Sequence, residues 1–133
     1  MKLIRVTLRI RNQEAALRFY TETLGFVKTA DFPLGPAMRW VTVAPAEDQG
    51  VQIVLQPPEW FQGDEYGQHM QSVGHNPPIV FEVEDCAAVF AQLEKKGVRF
   101  STPPSQRPYG VEAVGLDMDG NTLVFLQPAA MPR

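Results

Sequence analysis

The chain has 133 residues, of which 44% are apolar and 20% charged, and its formal net charge is −3. That length holds one compact domain or two small half-domains sharing a sheet, and the composition excludes a disordered or low-complexity chain. The negative balance and the lack of any basic run argue against nucleic acid as a partner, because phosphate recognition needs clustered Lys and Arg. No apolar run approaches the roughly 18 residues of a membrane span. Cys86 is the single cysteine, so no intrachain disulfide can form, which favours a reducing compartment. Met1 to Arg5 lacks the apolar core of a signal peptide, and the expected location is the cytoplasm.

Ile4, Val6, Leu8 and Ile10 alternate with Arg5, Thr7, Arg9 and Arg11, the period of a strand with one apolar face. Asn12 follows as a helix cap, since its side chain can accept from the free N–H groups of a first turn. Gln13 to Leu24 carries Ala16, Phe19, Tyr20 and Leu24 at helical spacing, and Gly25 is placed to stop the helix. Short strands are predicted near Phe26–Thr29, Met38–Val43 and Val51–Gln56, with turns at Pro36 and over Pro45–Gly50. Pro57 to Pro77 reads as a polar linker. The pattern then restarts. Ile79, Phe81 and Val83 alternate with Val80, Glu82 and Glu84, and Asp85 can cap a second helix. Cys86, Val89, Phe90 and Leu93 form one apolar stripe, and Gly97 ends it. Strands near Val98–Phe100, Val111–Leu116 and Thr122–Gln127 close the set, the last two joined by a tight turn at Asp119-Gly120-Asn121. The paired prolines (Pro57-Pro58, Pro77-Pro78, Pro103-Pro104) are expected between elements.

Strand, capped helix, glycine stop and three strands thus occur twice. The segment NQEAALRFYTETLGFV resembles the first-helix signature of the vicinal-oxygen-chelate superfamily, which contains glyoxalases, bleomycin-resistance proteins and extradiol dioxygenases. PPIVFEVEDCAAVFAQLEKKGVRF resembles its second βα start, and YGVEAVGLDMDGNTLVFLQP its closing hairpin. The match covers nearly all of the chain outside the linker. The resemblance implies an α+β fold of two βαβββ modules, a curved mixed sheet around a concave cup, helices on the outside, and often a homodimer. The expected organisation is a first module over 1–56, a linker over 57–77 and a second module over 78–133. It does not imply one activity, because fold does not fix function.

Metal-dependent members hold a divalent ion with His, Glu or Gln side chains from the inner strands. By the resemblance, those positions are occupied here by Arg5, Val54, Pro78 and Val124. Arg has no acceptor, and Val and Pro have no ligating side-chain atom. A slip of one residue turns the side chains to the other face, and the neighbours Val6, Ile53 and Ile79 are also non-ligands. A slip of two offers Thr7, Gln52 or Gln56, Glu82 and Thr122, a set with one carboxylate and no histidine. No metal and no cofactor is therefore expected. His69 and His75 fall in the linker and read as solvated loop histidines. Cys86 reads as a buried small hydrophobe.

Strand parity predicts the cup lining. If Ile4, Val6, Leu8 and Ile10 pack under the helices, Arg5, Thr7 and Arg9 point inward. Gln52, Val54 and Gln56 do so from the fourth strand, Val80 and Glu82 from the fifth, and Thr122, Val124 and Leu126 from the last. An apolar floor with a few polar groups is the usual make-up of a small-molecule pocket. Arg5 needs an anionic or carbonyl partner if buried, either Glu82 or a ligand carboxylate. Trp40 and Trp60, with Tyr66 and Tyr109, can supply aromatic walls, and Arg107 and Tyr109 can meet a ligand at the rim. Glu82 and Glu112 are a further carboxylate pair with no local sign of convergence. Three functions follow: a metal-free binder of a small, partly apolar molecule; an enzyme of the same superfamily using Arg5 or Glu82; and a protein-association module with a closed cup. The first is the leading expectation.

Overall fold

A computed structural model describes residues 1–130 of the chain. They divide into two compact units, one from Met1 to Asn76 and one beginning at Pro77. In the first unit the order is β1 (Arg5–Arg9), α1 (Gln13–Arg18), β2 (Val27–Gly35), β3 (Met38–Ala44), β4 (Gln52–Gln56) and α2 (Asp64–Ser72). The second contains β5 (Ile79–Glu82), α3 (Cys86–Lys95), β6 (Arg99–Arg107), β7 (Gly110–Leu116) and β8 (Thr122–Pro128). The chain is therefore α+β, with two four-stranded mixed sheets. Their orders are equivalent, β1-β4-β3-β2 and β5-β8-β7-β6, and in each the first strand runs parallel to the last and the others are antiparallel.

Local chemistry sets both helix starts. Asn12 Oδ1 accepts from the Ala15 N–H at 2.9 Å, and Asp85 Oδ1 from the Ala88 N–H at 3.0 Å. The α1 helix continues into a π-helical turn over Phe19–Thr23, so the single expected helix is two geometries in series. The apolar stripes face the sheets as their spacing requires. Ala16 and Tyr20 are buried with Leu8, Ile10, Val41, Val43, Ile53 and Leu55 in the first unit. Cys86 and Leu93 are buried with Ala113, Leu123 and Phe125 in the second. The Cys86 thiol donates to the Phe125 carbonyl at 3.4 Å, and burial, with the nearby Asp85 and Glu112 carboxylates, pushes it above the ordinary thiol range. That is the environment of a packing cysteine and not of a nucleophile.

Three sequence expectations are corrected. Pro103-Pro104 lies inside β6, not between elements, and Pro33 has the same kind of place inside β2. Both strands are at a sheet edge, where a missing N–H costs no ladder bond, and both show a register shift at the prolines. The β2 and β6 strands consequently run well past the expected Thr29 and Phe100. Within the segment read as linker, Pro58–Trp60 forms a 3-10 turn and Asp64–Ser72 forms α2.

The third correction is His69. It is not solvated but 2% exposed, packed on the Phe61 ring at 5.2 Å. Its Nε2 lies 2.9 Å from the Ile10 carbonyl. A carbonyl only accepts, so Nε2 carries the proton. The Asn76 side chain meets both the N–H and the C=O of Arg9, at 3.0 and 2.8 Å. The end of edge strand β1 is thus closed by side chains of the following segment, one way of protecting an edge. His75 is exposed, as expected.

Candidate functional site

The helix-free face of the first sheet is assembled by register. Arg5, Thr7 and Arg9 on β1 lie beside Gln52, Val54 and Gln56 on β4. Val54 lies beside Thr42 on β3, and Thr42 and Trp40 lie beside Ala30 and Phe32 on β2. The pleat places alternate residues on one face, so these residues form a continuous surface. The Thr42 hydroxyl, fully buried, is 2.6 Å from that of Thr29, and Val54 is buried beside it.

The aromatic part is a wall of three rings. Trp40 stacks on Trp60 with centroids 5.7 Å apart and planes within 8°. Phe32 lies 6.4 Å from Trp40 at 26°. The Arg5 guanidinium carbon sits 5.7 Å from the centre of the Trp40 ring, within cation–π range. Trp60 reaches Trp40 because Pro57-Pro58 folds the chain after β4 into the 3-10 turn. Its Nε1 is buried and has no acceptor among the described residues, an unsatisfied donor of the kind that usually has a reason. Strand parity gave Thr7, Val54 and the two arginine–glutamine pairs, and Trp40 and Trp60 were expected separately as aromatic walls. Phe32 escaped it, because the expected second strand ended before it. The available signal was its mirror position to Trp40 about the expected turn at Pro36.

On the opposite face, α1 is fastened to the sheet by polar groups. Gln13 Nε2 donates to the Arg39 and Leu55 carbonyls at 2.9 and 3.0 Å, where the β3–β4 ladder has ended. Arg39 forks onto Asp31, both bonds at 2.6 Å, and also pairs with Glu14. Lys28 adds a bond to Asp31 at 2.8 Å. The two cations hold the Asp31 carboxyl well below the usual carboxylate range, Arg39 contributing most.

In the second sheet, Val80 and Glu82 lie beside Val124 and Leu126, and these beside Val114 and Glu112. Glu82 and Glu112 therefore share a row with Leu126 between them, about 10 Å apart as strand axes, and do not form a carboxylate pair. Glu112 is already engaged. Tyr109 Oη donates to it at 2.8 Å and Arg107 Nε at 3.3 Å. That hydrogen bond raises the Tyr109 phenol above its ordinary value. The expected rim contacts Arg107 and Tyr109 are thus tied to each other through Glu112 on the β6–β7 hairpin.

The four positions that the resemblance marks for metal ligands hold Arg5, Val54, Pro78 and Val124. None offers a lone pair from its side chain to a divalent ion. Among the described residues, no three His, Cys, Asp or Glu side chains gather as a metal centre would require. The residues do not fit the metal. No helix among them is long and apolar enough to cross a membrane.

Two βαβββ units of equivalent strand order define the class of fold. Residues 2–125 match the Glyoxalase/Bleomycin resistance protein/Dioxygenase superfamily, and the chain belongs to it. It is 36% identical to the uncharacterized protein YurT of Bacillus subtilis (strain 168), over 96% of this chain and 99% of that one. Among solved structures it is similar to UcmS2, with 30% identity, a TM-score of 0.86 and 95% and 97% of the two chains covered. It is similar also to TnmS3, an antibiotic binding protein from Streptomyces sp. CB03234, with 30% identity, a TM-score of 0.81 and 97% of each chain covered.

Proposed function

We propose that the protein is a metal-free binder of a small, planar, partly apolar molecule, held on the helix-free face of the first sheet. The observation that carries this reading is the near-parallel Phe32–Trp40–Trp60 wall beside Arg5. A planar ligand laid along it buries apolar area and gains ring–ring contact. Thr7, Arg9, Gln52 and Gln56 complete the surface, over the buried Val54. Glu82, Val124, Arg107 and Tyr109 are secondary candidates. The similarity to an antibiotic binding protein supports the same class of activity. No reaction is proposed for Arg5 or Glu82. We propose further that the protein acts as a homodimer in the cytoplasm, the state to be read by sedimentation. Elemental analysis should give near-zero metal per chain, and about one tightly held metal would overturn the metal-free reading.

The two tryptophans of the chain both belong to the wall, which makes intrinsic fluorescence a direct reporter. Titration with planar two- and three-ring aromatic amides should quench it saturably. Trp60→Ala should weaken binding about tenfold or more, and Trp40→Ala likewise. Absence of any saturable response across the series, or affinity indifferent to both substitutions, would remove the wall as the site.

A further inference from the structure

The same face has a charge balance opposite to that of the chain as a whole. The chain as a whole is acidic, at −3. Yet the strand residues of this face include two guanidiniums, Arg5 and Arg9, and no carboxylate. The acids of the first sheet and its helix, Asp31 and Glu14, are on the other side, consumed by Arg39 and Lys28. Arg9 is steadied by the Ser72 hydroxyl at 3.2 Å. Arg5 makes no ion pair or hydrogen bond through its side chain among the described residues and has the Trp40 ring as its neighbour. Beside it, the half-buried Gln52 amide also makes no side-chain hydrogen bond there.

We infer that the ligand is a planar aromatic carboxylate, its rings along the aromatic wall and its carboxylate received by Arg5, with Gln52 as a second donor; the inference rests on the wall being the binding site. The guanidinium presents parallel N–H groups spaced for a carboxylate's two oxygens. Its place at the Trp40 ring holds it where a ligand's ring plane would end. An aromatic carboxylate satisfies both features at once. A neutral planar compound satisfies only the wall, and an aromatic ammonium is repelled by both arginines.

The test is calorimetric titration with anthracene carboxylate and anthracene carboxamide, which share rings and shape and differ in charge. The wild-type protein should bind the carboxylate about tenfold more tightly than the carboxamide at low salt. The preference should shrink as salt is raised. Arg5→Met should abolish the preference, and Arg5→Lys should restore part of it, since a lysine keeps the charge but not the fork. Equal affinity for the two compounds, or a preference that survives Arg5→Met, would overturn the inference while leaving the aromatic wall as the site. If neither compound binds, the wall reading fails and this inference falls with it.

Discussion

The two units are built to one plan and diverge on the face that carries no helix. In the first sheet that face holds Phe32 and Trp40, with Trp60 stacked on it and Arg5 over the ring. In the second, the equivalent strands present Val80, Val114, Val124 and Leu126, with Glu82 and Glu112, and the Tyr109 phenol of the β6–β7 turn is bonded to Glu112. The helix-covered faces, by contrast, match in kind. Each buries small and aliphatic side chains and one large aromatic, Tyr20 in the first unit and Phe125 in the second. The packed faces meet the same demand, to exclude water and fill space. The open faces do not have to, and there the chemistry separates.

The hairpins give the largest expected difference between the units. Each contains a glycine with positive φ, Gly35 at 136° and Gly110 at 145°. A Cβ on Gly35 meets nothing within 4 Å, whereas one on Gly110 falls 2.2 Å from the Gln127 carbonyl oxygen. Gly35→Ala should cost about 1–3 kcal/mol from backbone strain alone. Gly110→Ala should cost at least about 3 kcal/mol, because strain and overlap act together. Denaturant melts of the two variants check this, and equal losses would mean that the hairpins are held alike.

A smaller effect is expected at the β7–β8 turn. Buried Asp117 accepts from the Asp119 and Asn121 N–H groups, each at 2.9 Å, and from the Asn121 side chain at 3.0 Å. Asp117→Ala leaves those donors without their acceptor and should cost about 2–3 kcal/mol, read from the same melts. A loss under 0.5 kcal/mol, roughly the size of an ordinary surface change, would show that the turn holds itself.

The smallest is electrostatic and confined to the first unit. The native carboxyl of Asp31 titrates below its unfolded value, so its contribution is complete above about pH 5, given an unfolded value of about 3.9. It is lost as pH falls from there through the native value. Asp31→Asn should therefore cost about 1 kcal/mol at neutral pH, since the group is partly solvated. The gap from wild type should close on acidification below about pH 4. Paired denaturant melts at neutral and acid pH check it, and a gap that does not narrow would show that the Arg39 cluster contributes through packing and not charge.

Much of this was legible in the chain because it is local. Asn12 and Asp85 cap helices through a contact three residues away, and the period-two alternation around Val6 and Leu8 fixes which side of β1 packs. His69 was misjudged for the complementary reason. Its partner is the Ile10 carbonyl, 59 residues earlier, and nothing around His69 announces it. Pro103 and Pro104 look like punctuation until β6 is known to be an edge.

The sequence by itself determined the repeated βαβββ order, the superfamily, the helix-facing stripes and the absence of ligating side chains at Arg5, Val54, Pro78 and Val124. All of these follow from residue identity and short-range spacing. Only the tertiary structure decided that Phe32, Trp40 and Trp60 form one wall, that Arg5 lies over it, and that Arg107 and Tyr109 are occupied with Glu112. Most of these pairings join residues brought together by strand register and chain reversal, and register is set by the packing of whole sheets rather than by any segment's own preference.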